Sequence, residues 1–115
     1  MAGKLSTHIL DIGLGKPASG IQVDLLAVLE GGVKELQCTA YSNAEGRLDA
    51  PLSEELVEGI YELQFHVEDY LIQQGNLRTL LWDVIPIRFR VTRDGGHYHI
   101  PLLIAPGGYS TYRGS

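Results

Sequence analysis

The stretch Gly59-Ile60-Tyr61-Glu62-Leu63-Gln64-Phe65-His66-Val67 gives the clearest indication of fold in this 115-residue chain. Apolar and polar residues alternate along it, so that one face carries Tyr61, Leu63, Phe65 and Val67. A period of two residues is typical of a β-strand with one face buried and the other solvated. The stretch therefore predicts a half-buried strand.

Short strand-like segments lie on both sides of this stretch. Those predicted as strands or extended are Lys4–Asp11, Ile21–Glu30, Val33–Tyr41, Arg47–Asp49, Ile85–Arg93, His97–Leu103 and Tyr109–Tyr112. Glycine-rich turn signals separate them, such as Asn43–Gly46, where the glycine suits a positive φ. Together they predict an all-β sandwich of seven or eight strands.

Two local features refine this prediction. Glu68–Gly75 begins with acidic residues and ends with glycine, which favours a two-turn helix. Pro86 stands near the start of a predicted strand, and because proline donates no ladder hydrogen bond we expect this to be an edge strand.

Composition limits the class of protein. At 115 residues, 44% of them hydrophobic, the chain is predicted to be a single domain spanning residues 1–115. A formal net charge of −5 argues against a nucleic-acid partner, and no apolar run approaches the roughly 20 residues that span a membrane. The N-terminus has no apolar signal core, and the single cysteine fits a reducing compartment, so we expect a cytoplasmic protein.

Histidines are the candidate chemical groups on the predicted strands. Alternation in the first strand places His8 with Ser6 on the outward face, because Leu5, Thr7 and Ile9 form the better core face. A single outward histidine usually has no function, so His8 alone is a weak signal.

His97 and His99 are two residues apart and share a strand face. A His-x-His pair can bind a metal, but no third ligand stands at suitable spacing, so we predict no metal site. Acid–base chemistry needs only one histidine near its ordinary pKa. Arg47 follows a glycine turn and is either a solvated charge or a group that holds a planar anionic ligand.

The end of the chain is unusually polar. Tyr112–Ser115 combines a phenol, a guanidinium, a glycine and a hydroxyl, either as a solvated tail or as one docked into a site. Nucleophilic catalysis has little support: Cys38 lies mid-strand without a base nearby, and Ser115 lacks the glycine-framed elbow of serine hydrolases.

Five segments, in the same order, resemble the transthyretin-related 5-hydroxyisourate hydrolases of urate breakdown. They are Leu5–Asp11, Gly15–Ala18, Asn43–Arg47, His97–Leu103 and Tyr109–Ser115. The closing Tyr-Arg-Gly-Ser is the most specific of these features, because transthyretin itself lacks it. The resemblance covers nearly the whole chain, and Leu80–Pro86 is the segment that departs most from the family pattern.

The resemblance implies a two-sheet transthyretin-like β-sandwich with one short helix, assembled as a homotetramer with active sites between dimers. Its catalytic set corresponds to His8, Arg47, His99 and Ser115. The residues that would shape the substrate pocket are Tyr112, Arg113, Gly114 and, with less support, His97.

The implied reaction is hydrolysis of 5-hydroxyisourate to 2-oxo-4-hydroxy-4-carboxy-5-ureidoimidazoline without a metal or organic cofactor. His99 and His8 would activate water and transfer protons in an order left open, while Arg47 would stabilise the oxyanion. A transthyretin-like carrier is the alternative, but it predicts apolar or small residues in place of His8, Arg47 and Tyr112. A β-sandwich adhesion module would need none of these groups.

Overall fold

Eleven strand segments and one helix make up the part of the chain, residues 3–75 and 80–115, that this computed structural model describes. The strands are β1 (Gly3–Ser6), β2 (Ile9–Asp11), β3 (Lys16–Pro17), β4 (Gln22–Val28), β5 (Lys34–Tyr41), β6 (Ser53–Leu56), β7 (Gly59–His66), β8 (Val84–Val91), β9 (Tyr98–His99), β10 (Leu102–Ala105) and β11 (Gly108–Thr111). Helix α1 spans Glu68–Gln73, and a 3-10 turn at Glu30–Gly32 joins β4 to β5. In the described ranges no helix is long and apolar enough to cross a membrane.

The strands form two layers. One layer is a regular antiparallel sheet in the order β5-β4-β7-β8. The other consists of two short sheets, β6-β1-β9 and β11-β10-β2-β3. These two are continuous, because Ser6 O accepts a bond from Ile100 N at 3.0 Å and His8 O accepts one from Leu102 N at 2.9 Å.

The core lies between the layers. From the regular sheet, Leu63 and Phe65 on β7 are fully buried, as the alternation predicts. From the other layer, Leu5, Ile9 and Leu102 meet them with no exposed surface. Full burial of side chains of this size stabilises the fold by about 1.5–3 kcal/mol each.

Helix α1 is tied to the second layer by a buried hydrogen bond. The hydroxyl of Tyr70 donates to Asp11 Oδ2 at 2.7 Å, and Asp11 Oδ1 accepts a bond from Leu14 N at 2.9 Å. Burial, followed by the neighbouring carboxylate, raises the pKa of the Tyr70 phenol well above its ordinary range. The helix therefore fixes the loop that follows β2.

Several predicted elements are confirmed. The outward face of Ser6 and His8 is observed, since Leu5, Thr7 and Ile9 are buried. The hairpin of β4 and β5, the helix and the edge position of β8 are also observed. The N-terminal prediction includes Met1 and Ala2, which lie outside the described residues.

Other predicted elements differ from the structure in their boundaries. The first predicted strand divides at Thr7-His8, where the chain changes partners from β9 to β10. The predicted histidine strand divides in the same way, and His97 precedes it. Arg47–Asp49 is not a strand: Arg47 makes only an isolated bridge to His8. Strand β6 was not predicted, because the consecutive acidic residues of Ser53–Leu56 break the alternation. The two divisions, the unpredicted strands β3 and β6 and the loss of Arg47–Asp49 together explain why eleven segments replace the seven or eight expected.

Candidate functional site

A cleft of about 490 Å³ lies at the end of the second layer, beside β1 and β9. Its lining residues come from the first strand, the loops after β5, the histidine segment and the chain terminus: Lys4, Ser6, Arg47, Pro51, His97, Tyr98, His99, Gly114 and Ser115. Most of the sequence-predicted site residues are thus brought to one place.

Parallel pairing of β1 with β9 sets the orientation of the histidine segment. Leu5 pairs with Tyr98 and Ser6 with His99. Since Leu5 and Tyr98 are buried in the core, their neighbours Ser6 and His99 face the cleft. His99 is half-buried and His97 is exposed.

The turn before Arg47 holds that residue against the first strand. Asn43 Oδ1 accepts bonds from Glu45 N at 2.9 Å and from Arg47 N at 3.1 Å. Gly46 has φ of 77°, and a Cβ there would lie 2.3 Å from Ile9 O. Only glycine fits this position, so the turn that carries Arg47 to the cleft depends on Gly46.

His8 lies next to this turn, outside the residues that line the cleft. Its Nε2 is 2.8 Å from Glu45 O. A carbonyl oxygen only accepts, so Nε2 carries a proton and donates it to Glu45 O. The ring of His8 is thereby fixed beside Arg47, with which it forms a backbone bridge.

His99 is held in its neutral form. Its pKa is lowered first by burial and then by the positive charges of Arg47 and His8. Its Nδ1 lies 2.8 Å from the hydroxyl oxygen of Ser6. A neutral imidazole is the form of histidine that can accept a proton from water.

His97 is fixed differently. The backbone N–H of Lys4 donates to His97 Nδ1 at 2.9 Å. An Nδ1 that accepts has a lone pair, so the proton of the neutral ring resides on Nε2. In this state His97 offers a hydrogen-bond donor.

The tail is docked against His99. Gly114 N donates to His99 O at 2.7 Å, and a Cβ at Gly114 would lie 2.4 Å from His99 Cδ2. Arg113 Nη2 donates to the carbonyls of Gly95 at 2.6 Å and His97 at 3.0 Å. Its guanidinium also lies 4.3 Å from the centre of the Tyr98 ring, within the range of a cation–π contact. These contacts hold the terminal residues against the cleft.

Not every predicted site residue lines the cleft. Arg47, His97, His99, Gly114 and Ser115 do, and His8 is adjacent. Tyr112 and Arg113 instead line a second groove of about 320 Å³ between β8 and β11. Within residues 3–75 and 80–115 there is no group of three or more potential metal ligands.

Four lining residues were missed by the sequence interpretation: Lys4, Ser6, Pro51 and Tyr98. Ser6 shares the outward face of its strand with His8. The same alternation therefore contained the signal for Ser6.

Comparisons with known proteins cover the whole described region. A profile of the HIUase/Transthyretin family matches residues 5–114. The 5-hydroxyisourate hydrolase of Halalkalibacterium halodurans is 50% identical over 100% of both chains. The structure of the Klebsiella pneumoniae 5-hydroxyisourate hydrolase is 40% identical, with a TM-score of 0.82 over 98% of this chain and 99% of that one. Sea bream transthyretin in complex with thyroxine is 26% identical, with a TM-score of 0.87 over 96% of this chain and 94% of that one.

Proposed function

This chain belongs to the HIUase/Transthyretin family, and from that premise we propose that it hydrolyses 5-hydroxyisourate in urate degradation, at the cleft around His99. One observation carries the assignment to this cleft. A neutral imidazole, a guanidinium and a docked chain terminus converge there, at His99, Arg47 and Ser115. A carrier cavity would need no proton acceptor.

The reaction is attack of water on a ring carbonyl. A new C–O bond forms as water loses a proton, and the carbonyl oxygen becomes an oxyanion. Collapse of this intermediate breaks the C–N bond of the ring, and the nitrogen takes up a proton. The product is the ring-opened carboxylate, 2-oxo-4-hydroxy-4-carboxy-5-ureidoimidazoline, and no step needs a metal or an organic cofactor.

His99 is the first proton acceptor in this scheme. It lies in the cleft and its lowered pKa keeps it neutral at physiological pH. His8 is less suited to the first step, because its Nε2 already donates to Glu45 O. Proton transfer by a positioned base contributes about 10²- to 10⁴-fold to the rate.

Two donors stabilise the developing negative charge. Arg47 would hold substrate oxygens through its planar fork of N–H groups. His97 would add the N–H of Nε2, since its Nδ1 is engaged by Lys4 N. Donors that are fixed before the reaction stabilise an oxyanion without reorganisation.

The tail completes the cleft. Gly114 is bound to the backbone of His99, and Ser115 lines the cleft beside it with its polar groups. These groups would orient water or substrate. Tyr112 and Arg113 would act indirectly, because they line the neighbouring groove.

A homotetramer is part of the proposal. Strands β8 and β11 are both sheet edges and border the same groove. Exposed edges with unpaired backbone groups favour pairing with another copy of the chain. Sedimentation at micromolar concentration tests this, and a monomer alone would contradict it.

A cytoplasmic location, suggested by the single cysteine, is likewise proposed.

The activity is tested by generating 5-hydroxyisourate in situ from urate with urate oxidase. The decay of its ultraviolet absorbance is then followed with and without the protein. We expect faster decay in proportion to protein concentration, and none with heat-inactivated protein. Decay at the spontaneous rate would contradict the proposed function.

A further inference from the structure

We propose that Ser6 is a positioning residue that places the imidazole proton of His99 on Nδ1 and leaves Nε2 free to act as the base. This inference rests on the proposed function, because it gives His99 the role of proton acceptor. Ser6 is distinct from the catalytic groups, since it acts through the ring of His99 rather than on water.

Strand pairing brings Ser6 into contact with His99. Ser6 and His99 are paired in register across β1 and β9, and both are half-buried. The two strands therefore hold Ser6 Oγ and His99 Nδ1 at 2.8 Å. In the described parts of the chain, the hydroxyl of Ser6 has no other hydrogen-bond partner.

The two nitrogens of a neutral imidazole play different parts. One ring nitrogen carries the proton and the other has the lone pair. A serine hydroxyl can accept as well as donate. When it accepts from Nδ1, the lone pair that takes a proton from water is on Nε2. His99 Nδ1–H then donates to Ser6 Oγ. Histidine bases commonly depend on such a partner, and loss of the correct tautomer disables them.

His97, two residues earlier, has a different kind of partner at Nδ1. There the partner of Nδ1 is the backbone N–H of Lys4, which can only donate. His97 is thereby held as the Nε2–H tautomer. A hydroxyl differs from an N–H because it can accept, so Ser6 permits the opposite tautomer on His99. Lys4 and Ser6, two residues apart on β1, thus give the two histidines opposite tautomers: His97 becomes a donor at Nε2 and His99 a base at Nε2.

The test combines turnover with a spectroscopic measurement that needs no substrate. Ser6→Ala is expected to lower kcat about tenfold or more with little change in KM, because the base is misdirected while the cleft remains. Ser6→Thr retains the hydroxyl and is expected to restore most of kcat. Ser53→Ala is the matched control: Ser53 lies on the adjacent β6, where, among the residues that the structure describes, its hydroxyl oxygen accepts a bond only from Glu55 N.

Nitrogen-15 NMR of the histidine rings gives the second readout. In the wild-type protein at a pH where His99 is neutral, we expect the proton on Nδ1 of His99 and on Nε2 of His97. In Ser6→Ala the proton of His99 should move to Nε2, while His97 is unchanged.

Two results would overturn the inference: an active wild type whose kcat is unaffected by Ser6→Ala, or a wild-type His99 that carries its proton on Nε2. If the wild type itself does not hydrolyse 5-hydroxyisourate, the proposed function fails, and the NMR result still decides the tautomer. If Ser6→Ala does not fold, the wild-type spectrum still shows which nitrogen of His99 carries the proton, and Ser6→Thr still shows whether a hydroxyl at this position supports kcat.

Discussion

The regular sheet and the cleft end of the second layer are built in opposite ways. In the regular sheet, β4 and β7 run for seven and eight residues and keep continuous pairing with each other. At the cleft, β1, β2 and β9 are only two to four residues long and exchange partners at Thr7-His8. The long regular strands bury apolar side chains in the core, whereas the breaks between the short strands leave polar side chains facing the cleft.

This difference leads to a separation of roles. Substitutions in the cleft should reduce turnover with little effect on stability. Substitutions in the regular sheet should reduce stability and leave the turnover of each folded molecule unchanged.

Deletion of Tyr112–Ser115 should have the largest effect. It removes Ser115 and the backbone bond from Gly114 N to His99 O, and it empties one wall of the cleft. We expect turnover to fall close to the uncatalysed rate, while the thermal transition persists because the removed residues are outside the core.

Residues added after Ser115 should also reduce turnover, because they crowd the cleft that Ser115 lines, whereas an N-terminal tag serves as control. Wild-type turnover by the truncated protein would show that the tail is merely solvated.

The substitution His99→Asn should lower kcat by about 10²-fold or more, the effect of losing a general base. His8→Asn should lower kcat by a similar factor, because His8 is assigned a proton transfer that follows the first step. Neither substitution should unfold the protein, since both residues lie outside the core. His66→Asn is the control, because His66 bonds Asp24 on the regular sheet. A much larger loss for His97→Asn than for His99→Asn would mean that the roles of the pair are reversed.

Phe65→Ala tests the other region. Phe65 is fully buried on β7, so its truncation should lower the free energy of unfolding by about 3–5 kcal/mol. Denaturant titration measures this, and kcat below the melting temperature should stay near the wild-type value. Leu36→Ala, at a position 58% exposed on β5, should change the free energy of unfolding by about 0.5 kcal/mol or less. A specific loss of kcat in folded Phe65→Ala would contradict the separation.

The pH dependence should show the smallest effect. Burial, Arg47 and His8 lower the pKa of His99, so turnover should persist below the ordinary histidine pKa of about 6.5 and decline as pH falls through the lowered value. The free energy of unfolding should change in the same direction. As pH falls, His99 takes up a proton in the unfolded state before it does so in the folded state, so the folded protein loses stability. Arg47→Gln should raise the pKa of His99 in an NMR titration, and an unchanged titration would contradict the assigned cause.

The features that sequence could predict are those determined by alternation along one strand. The buried positions of Leu5 and Phe65 and the outward position of His8 follow directly from a period of two. The contacts that define the site were not predictable in this way. Lys4 N meets His97, and Ser6 meets His99, across 93 residues of chain, through a parallel pairing that no local pattern specifies.

Arg113 illustrates the same limit. The resemblance assigned Arg113 to the substrate pocket, and nothing in the sequence around it indicates which groups its guanidinium contacts. In the structure its guanidinium binds the carbonyls of Gly95 and His97 and lies over Tyr98. That contact exists only because the turn before β9 returns to the tail, which is a tertiary arrangement.

The most direct test of the central claim is the decay of freshly generated 5-hydroxyisourate in a concentration series of wild-type protein, run in parallel with His99→Asn. Both proteins are matched for folding by circular dichroism. We expect a decay rate that rises linearly with wild-type concentration and stays near the spontaneous rate for His99→Asn. Equal rates for the two proteins would contradict catalysis at the His99 cleft, and a wild type without effect would contradict the activity itself.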